Sequence, residues 1–218
     1  MEYVKLMEAR HSVRQYTDKA IEAEKREQLN RLVKEINKEA GLHIQILYDE
    51  PKCFDSFMAH YGKFSGVKNY IALVGKKSPK LGENLGYYGE KLVLKAQELG
   101  LNTCWVALSK GKSAAVVSKG EKQGCLIPIG YGENQGVPHK SKALSEVSNY
   151  AAGQPDWFKA GMEAVLLAPT AMNQQKFFFT LQEDETVKAV PGRGFYTKED
   201  LGIACYHFEA VTGKKVIR

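Results

Sequence analysis

Two arginines bracket an imidazole and a hydroxyl within five residues at Arg10-His11-Ser12-Val13-Arg14. Guanidinium groups fork onto phosphate oxygens, and Ser12 and His11 add neutral donors that fix orientation, so the run is a candidate clamp for a dianion. A solvated basic face on a short helix is the competing reading of two arginines four apart. A second suggestive run lies near the other end, at Ala168-Pro169-Thr170-Ala171-Met172-Asn173-Gln174-Gln175. Apolar residues at helical spacing precede it over 157–167, and Pro169 stops that helix because it lacks an amide donor and clashes with the preceding turn. The strand-like Lys176-Phe177-Phe178-Phe179-Thr180-Leu181 follows. Backbone groups around Thr170 and Asn173 then need partners outside helix and sheet. A flat heterocycle with several donors and acceptors would satisfy them.

Several elements must position these runs. Residues 24–38 read as an amphipathic helix with Leu29, Leu32, Val33 and Ile36 on one side, ending near Gly41, and 42–48 alternate as a strand. A long helix carrying Leu92, Leu94, Ala96 and Leu99 is stopped by Gly100 in a left-handed conformation and leads into the apolar Cys104-Trp105-Val106-Ala107. Ile127-Pro128-Ile129-Gly130-Tyr131-Gly132 reads as a strand and turn, followed by a polar loop with Lys140 and Lys142, which on their own would be read as solvated. Beyond a break at Pro155, the order helix, loop, strand continues into 199–210. That segment, beginning Glu199-Asp200-Leu201-Gly202, echoes Glu83-Asn84-Leu85-Gly86. The chain therefore divides, as a sequence, into 1–150 and a shorter unit 151–218.

On these motifs the chain resembles the FMN-dependent nitroreductase family. Its members hold the flavin phosphate with an Arg-His-Ser-x-Arg segment near the N-terminus and carry a Pro-Ser-x-x-Asn-x-Gln loop at the flavin ring. Arg10, His11, Ser12 and Arg14 match the first motif, while Pro169, Thr170, Asn173 and Gln175 match the second with threonine for serine. The order departs from the family, where the second motif follows the first within a few tens of residues. Here only Glu39-Ala40-Gly41 stands at that place.

The resemblance implies an α+β fold with a central, mainly antiparallel sheet flanked by helices and a noncovalent FMN. It assigns Arg10, His11, Ser12, Arg14, Lys140 and Lys142 to the phosphate, with Lys142 a point charge where the family has a forked arginine. Trp105, Val106, Ala107, Leu108, Pro169, Thr170, Ala171 and Asn173 fall to the isoalloxazine, the backbone of 106–108 bonding toward flavin N5. The implied reaction is hydride transfer from NADH or NADPH through flavin N5 to a nitroaromatic, quinone or similar acceptor. No side chain need act as a general base, so no catalytic residue is assigned. The same resemblance covers flavin-cleaving enzymes that make dimethylbenzimidazole, and a non-catalytic flavin-binding or redox-sensing protein is a further alternative. Family members are homodimers with shared flavin sites. On that analogy 1–150 is one nitroreductase-like unit and 151–218 a shortened second unit completing the same fold and flavin site. Both a homodimer and a monomer with pseudo-two-fold symmetry are compatible with this.

Composition narrows the partners. The chain has 218 residues, 44% hydrophobic and 26% charged, enough to bury a substantial core. No apolar run approaches the roughly 18 to 20 residues that span a bilayer, and the first residues lack a signal-peptide pattern, so the expectation is a cytoplasmic protein without membrane contact. The formal net charge is +6, but lysines interleave with acids, as over residues 21–27, and no basic stripe carries aromatics. A small-molecule electron acceptor is the expected partner, and nucleic acid is not. Cys53, Cys104, Cys125 and Cys205 make no Cys-x-x-Cys pair and read as reduced thiols. The five histidines show no metal-ligand spacing, and no Gly-x-Ser-x-Gly or P-loop pattern occurs, so neither zinc nor hydrolytic chemistry is expected.

Overall fold

A computed structural model describes residues 3–218. It is an α+β structure in which an antiparallel sheet is flanked by helices. Packing divides it into two compact units, each assembled from separate stretches of chain. One comprises Arg10–Leu81 and Leu92–Val137; the other comprises the segment ending at Ala9, Gly82–Lys91 and Pro138–Arg218. This differs from a boundary at residue 150, because residues 82–91 and 138–150 pack with the C-terminal stretch.

The first unit contains β1 (Gln45–Leu47), β2 (Tyr70–Lys76), β3 (Asn102–Thr103) and β4 (Glu121–Gly130) in the order β1-β2-β4-β3, antiparallel throughout. Central β2 is buried from Tyr70 to Gly75, as expected of a strand covered on both faces. Helix α2 (Ala23–Ala40) buries Leu29, Val33 and Ile36 of the predicted stripe and leaves Leu32 half-buried at its margin. The strand expected over 42–48 contracts to β1. The Asn37 side-chain amide takes both backbone groups of Ile44, donating to its carbonyl and accepting from its amide at 2.8 Å each, so Ile44 is withdrawn from the ladder. The short helix α3 (Phe57–Tyr61) is capped by the Ser56 hydroxyl, which accepts from the Ala59 amide.

Helix α4 (Leu81–Glu98) ends ahead of Gly100, whose φ of +73° is the expected left-handed stop. After β3, Val106 pairs alone with Leu126.

The second unit holds helices α1 (Tyr3–Ala9), α5 (Leu144–Val147), α6 (Asp156–Val165) and α7 (Thr197–Thr212), together with part of α4. Strands β5 (Phe177–Leu181), β6 (Val187–Pro191) and β7 (Val216–Ile217) form its sheet, with β5 antiparallel and β7 parallel to β6. Alternation sends Phe177, Phe179, Val187 and Ala189 inward. Phe208 of α7 stacks on Phe179 at 5.8 Å and meets Phe158 of α6 edge-on at 6.0 Å.

The echoed segments 83–94 and 199–210 meet physically. A Cβ added at Gly86 would run into the Glu199 carbonyl oxygen, and one added at Gly202 would run into the Glu83 carbonyl oxygen. Each glycine thus receives the carbonyl three residues ahead of its counterpart, a reciprocal contact of two helices at backbone distance. Further along, fully buried His207 places Nδ1 2.9 Å from the Ala164 carbonyl and Nε2 3.0 Å from Oε1 of fully buried Glu90. The Ala164 carbonyl can only accept, so Nδ1 donates to it, and Nε2 pairs with the Glu90 carboxyl.

At an exposed helix position Gly→Ala would gain about 1 kcal/mol. Gly86→Ala and Gly202→Ala are expected instead to lower stability by about 1–3 kcal/mol each through overpacking against backbone. Urea unfolding measures this, and two variants at or above wild-type stability would show that the helices separate without cost.

Candidate functional site

The Arg10 to Arg14 run is not helical. Helix α1 ends at Ala9, and the following residues pair in extended form, the Val13 amide donating to the Thr103 carbonyl at 3.0 Å beside a parallel Ser12–Thr103 bridge. The Ser65 amide donates to the Arg14 carbonyl at 3.1 Å, and the Tyr16 amide to the Ser65 carbonyl at 3.0 Å. In extended chain, alternate residues share a side. Val13 enters the core, while Arg10, Ser12 and Arg14 gather near the buried Cys104 sulfur. Burial pushes that thiol upward; the Arg14 charge, the Ser12 hydroxyl and the Arg10 charge each act in the opposite direction. Arg10 is itself buried and Arg14 exposed, so the set runs from the interior to the surface. His11 alternates to the other side, beside Gly136.

Next to this set lies the irregular stretch after β3. The Val106 amide donates to the Leu126 carbonyl at 2.9 Å and its carbonyl accepts from the Leu126 amide at 2.8 Å, so Val106 has no main-chain donor left for a ligand. The Leu108 carbonyl is likewise taken by the Lys110 amide at 2.8 Å. The Ala107 and Leu108 amides are candidates for a backbone contact from this stretch, and Trp105 is half-buried beside them. Leu108 is 71% exposed, as are Phe57 at 82% and Tyr61 at 78% on α3. The end of α3 abuts this stretch, since a Cβ at Gly62 would strike the Ser109 side chain. Phe57 and Tyr61 escape motif reading because they belong to no motif. Their one signal is a five-residue helix, rich in apolar side chains, that buries only Ala59.

The remaining predicted residues, Lys140, Lys142, Pro169, Thr170, Ala171 and Asn173, lie together in the other unit. After α6, residues 171–173 make a single 3₁₀ turn rather than an open loop. Met172, Asn173 and Gln175 have φ of +51°, +53° and +45°. Such angles cost about 1 kcal/mol or more apiece in a residue other than glycine.

Side chains hold the turn in this shape. Thr170 Oγ1 accepts from the Gln175 amide at 3.1 Å, and Asn173 Nδ2 donates to the Lys140 carbonyl at 2.8 Å. Buried Gln175 donates through Nε2 to the Lys140 carbonyl and to Asn173 Oδ1, both at 2.9 Å, while its Oε1 accepts from the Lys142 amide at 2.9 Å. Lys142 Nζ returns to the Gln175 carbonyl at 3.2 Å. Asn173 is thus engaged within the turn, as a capping residue would be. Met172 projects from the tip, 86% exposed.

From α7, buried Asp200 completes the support. Its Oδ1 accepts from the Ala171 amide at 2.9 Å and its Oδ2 from Gln174 Nε2 at 2.7 Å. Burial, partly opposed by those two hydrogen bonds, pushes the Asp200 carboxyl up to about 6. The folded protein then holds a proton that the unfolded chain releases between about 4 and 6. Stability from this group is full below that window and is lost as pH rises through it. The melting temperature of Asp200→Asn relative to wild type should therefore climb between pH 4.5 and 7.5. A flat difference would mean that Asp200 titrates normally.

Among the described residues no helix is long and apolar enough to cross a membrane. Comparison with known proteins places this geometry in context. The family described as "Putative TM nitroreductase" matches residues 2–212. A "putative nitroreductase" of Thermotoga maritima is 21% identical and superposes over 97% of this chain and 83% of its own with a TM-score of 0.69. A nitroreductase family protein from Streptococcus pneumoniae, 13% identical, covers 69% of this chain and 100% of its own at 0.54. A "Putative NADH dehydrogenase/NAD(P)H nitroreductase" from Bacteroides thetaiotaomicron, 19% identical, covers 66% and 95% at 0.53. No curated protein matches. The structural likenesses show the fold, and the match over residues 2–212 shows the family: the chain belongs to the nitroreductase family.

Proposed function

We propose that this protein is an FMN-dependent oxidoreductase that takes electrons from NADH or NADPH and passes them to a small acceptor such as a nitroaromatic or a quinone. The observation that carries the reading is that Arg10, Ser12 and Arg14, on the segment whose Ser12 bridges Thr103, all act on the buried Cys104 thiol. Two cations and a hydroxyl within five residues form a donor set suited to a phosphate dianion. The donor assignment rests on the name carried by the Bacteroides relative.

When bound, FMN supplies the hydride chemistry. The protein's part is to bind and orient. Arg14 and Arg10 neutralise the phosphate and Ser12 fixes its rotation, while the Ala107 and Leu108 amides serve a polar ring edge. Exposed Phe57, Tyr61 and Leu108 offer apolar surface to a flat acceptor. In the same reading the turn at 170–175, with Pro169, Thr170, Ala171 and Asn173, is a ligand-binding turn, and Lys140 and Lys142 support it. Val106 contributes packing, and His11 supports the segment from its other side.

The purified protein should show oxidised-flavin absorbance, and heat should release FMN. Release of FAD would contradict a terminal-phosphate clamp, and irreversible loss of the spectrum on aerobic reoxidation would indicate a flavin-cleaving enzyme. Arg14 is exposed, so Arg14→Ala removes a charge-assisted bond with little change in the core. FMN affinity should fall roughly ten- to a hundred-fold while riboflavin affinity hardly moves. Titration of both ligands checks this, and equal losses for the two would place Arg14 away from the phosphate.

A further inference from the structure

Helix α3 and the stretch that follows Val106 are fastened together within the unit that contains β1 to β4. The Gly111 amide donates to the Cys53 carbonyl at 2.7 Å, and Cys53 Sγ donates to the Gly111 carbonyl at 3.6 Å. A Cβ added at Gly111 would lie 3.1 Å from the Ser56 side chain, so the start of the helix rests directly on this stretch. Together the two present an apolar surface. Phe57 and Tyr61, four apart, share one side of α3 while Ala59 faces the interior, and Phe57, Met58, Tyr61 and Leu108 are all exposed.

The charge around these side chains is one-sided. Residues 51–63 and 105–113 carry four lysines and one acid, half of the chain's net charge of +6. The acid, Asp55, lies 3.3 Å from His60 Nε2, and Glu50, next in the chain, has its Oε2 buried. Lys52, Lys63 and Lys112 are exposed and Lys110 is half-buried, and among the described residues none of the four is in a salt bridge. The Cys53–Gly111 contact draws Lys52, beside Cys53, toward Lys110 and Lys112, on either side of Gly111. Neither stretch alone is a basic stripe, and the tertiary contact joins them into one basic and apolar face.

Protruding aromatic and aliphatic side chains among uncompensated cations suit a layer that is apolar inside and anionic at its surface. A second copy of this chain meeting the same face would set lysine against lysine. One small acceptor lying on one or two of these side chains would leave the others, and the cations, uncovered. A protein partner has to supply a hollow for each protruding side chain, whereas lipid closes round any shape. We propose that α3 and residues 105–113 dock this protein on an anionic lipid surface, the four apolar side chains entering at headgroup depth and the four lysines meeting lipid phosphates. The expectation of no membrane contact rests on the length of apolar runs, which bears on spanning a bilayer and not on lying at its surface. The assignment does not depend on the flavin reading above.

The test is co-sedimentation of the full chain with vesicles of phosphatidylcholine and phosphatidylglycerol, against vesicles of phosphatidylcholine alone. We expect binding to the anionic vesicles that weakens with salt and is slight on the neutral ones. Phe57→Ser combined with Leu108→Ser should lower partitioning roughly tenfold or more. Lys52→Glu combined with Lys112→Glu should lower it as much and flatten the salt dependence. Phe195→Ser, at an equally exposed phenylalanine of the other unit, should leave partitioning unchanged. All five positions are at the surface, and unchanged melting temperatures will show that the variants fold. Absence of wild-type binding to anionic vesicles at low salt overturns the proposal. So does an equal loss in Phe195→Ser, which means general adhesion. If the wild type ignores vesicles and light scattering shows a dimer that Phe57→Ser with Leu108→Ser dissociates, the face is a contact between copies. If it instead binds polyglutamate through Lys52 and Lys112, the face serves an acidic protein and not lipid.

Discussion

The close approach of α4 and α7 at Gly86 and Gly202 is the constraint on which the helical unit depends. With no side chain at either position, each helix receives the other's carbonyl at backbone distance. That proximity lets Glu90 reach His207 in the interior and lets Tyr87 donate to Glu209 Oε2 at 2.8 Å. A buried acid is tolerable only with a polar partner such as the His207 imidazole, so any separation of the helices would leave a polar group stranded in an apolar core. His207 also reaches the Ala164 carbonyl, tying α6 to the same point. The position of α7 then fixes Asp200 in its first turn, and through Asp200 the turn that precedes β5.

Two different devices position the two candidate binding elements. The Arg10 to Arg14 run is set by main-chain pairing with Ser65 and Thr103, continued by the Thr17 amide to the Tyr131 carbonyl at 2.8 Å, so its course is fixed by backbone groups. Residues 170–175 are set the opposite way, by side chains that spend their polar groups on the backbone of the turn. An element built from backbone pairing tolerates changes in its side chains. A turn built from side chains does not, since Thr170, Asn173, Gln175 and Asp200 each carry part of its conformation.

The sequence determined the chemistry of both runs and the nature of most elements. The apolar stripe of α2, the left-handed stop at Gly100 and the stop before Pro169 all follow from local rules, because periodicity, chirality and the missing proline amide act within a few residues. The similarity of 83–94 to 199–210 was visible too, although its meaning as a helix crossing was not. Only the tertiary structure decided that Arg10, Ser12 and Arg14 all act on Cys104, that Asn37 takes Ile44 out of a ladder, and that Val106 pairs with Leu126. It alone brought Asp200, 29 residues beyond Ala171, to the strained turn and left Phe57 and Tyr61 exposed on α3. Hydrogen bonds and burial between residues far apart in sequence decide which polar groups are spent and which remain for a ligand, and no local pattern encodes those long-range pairings.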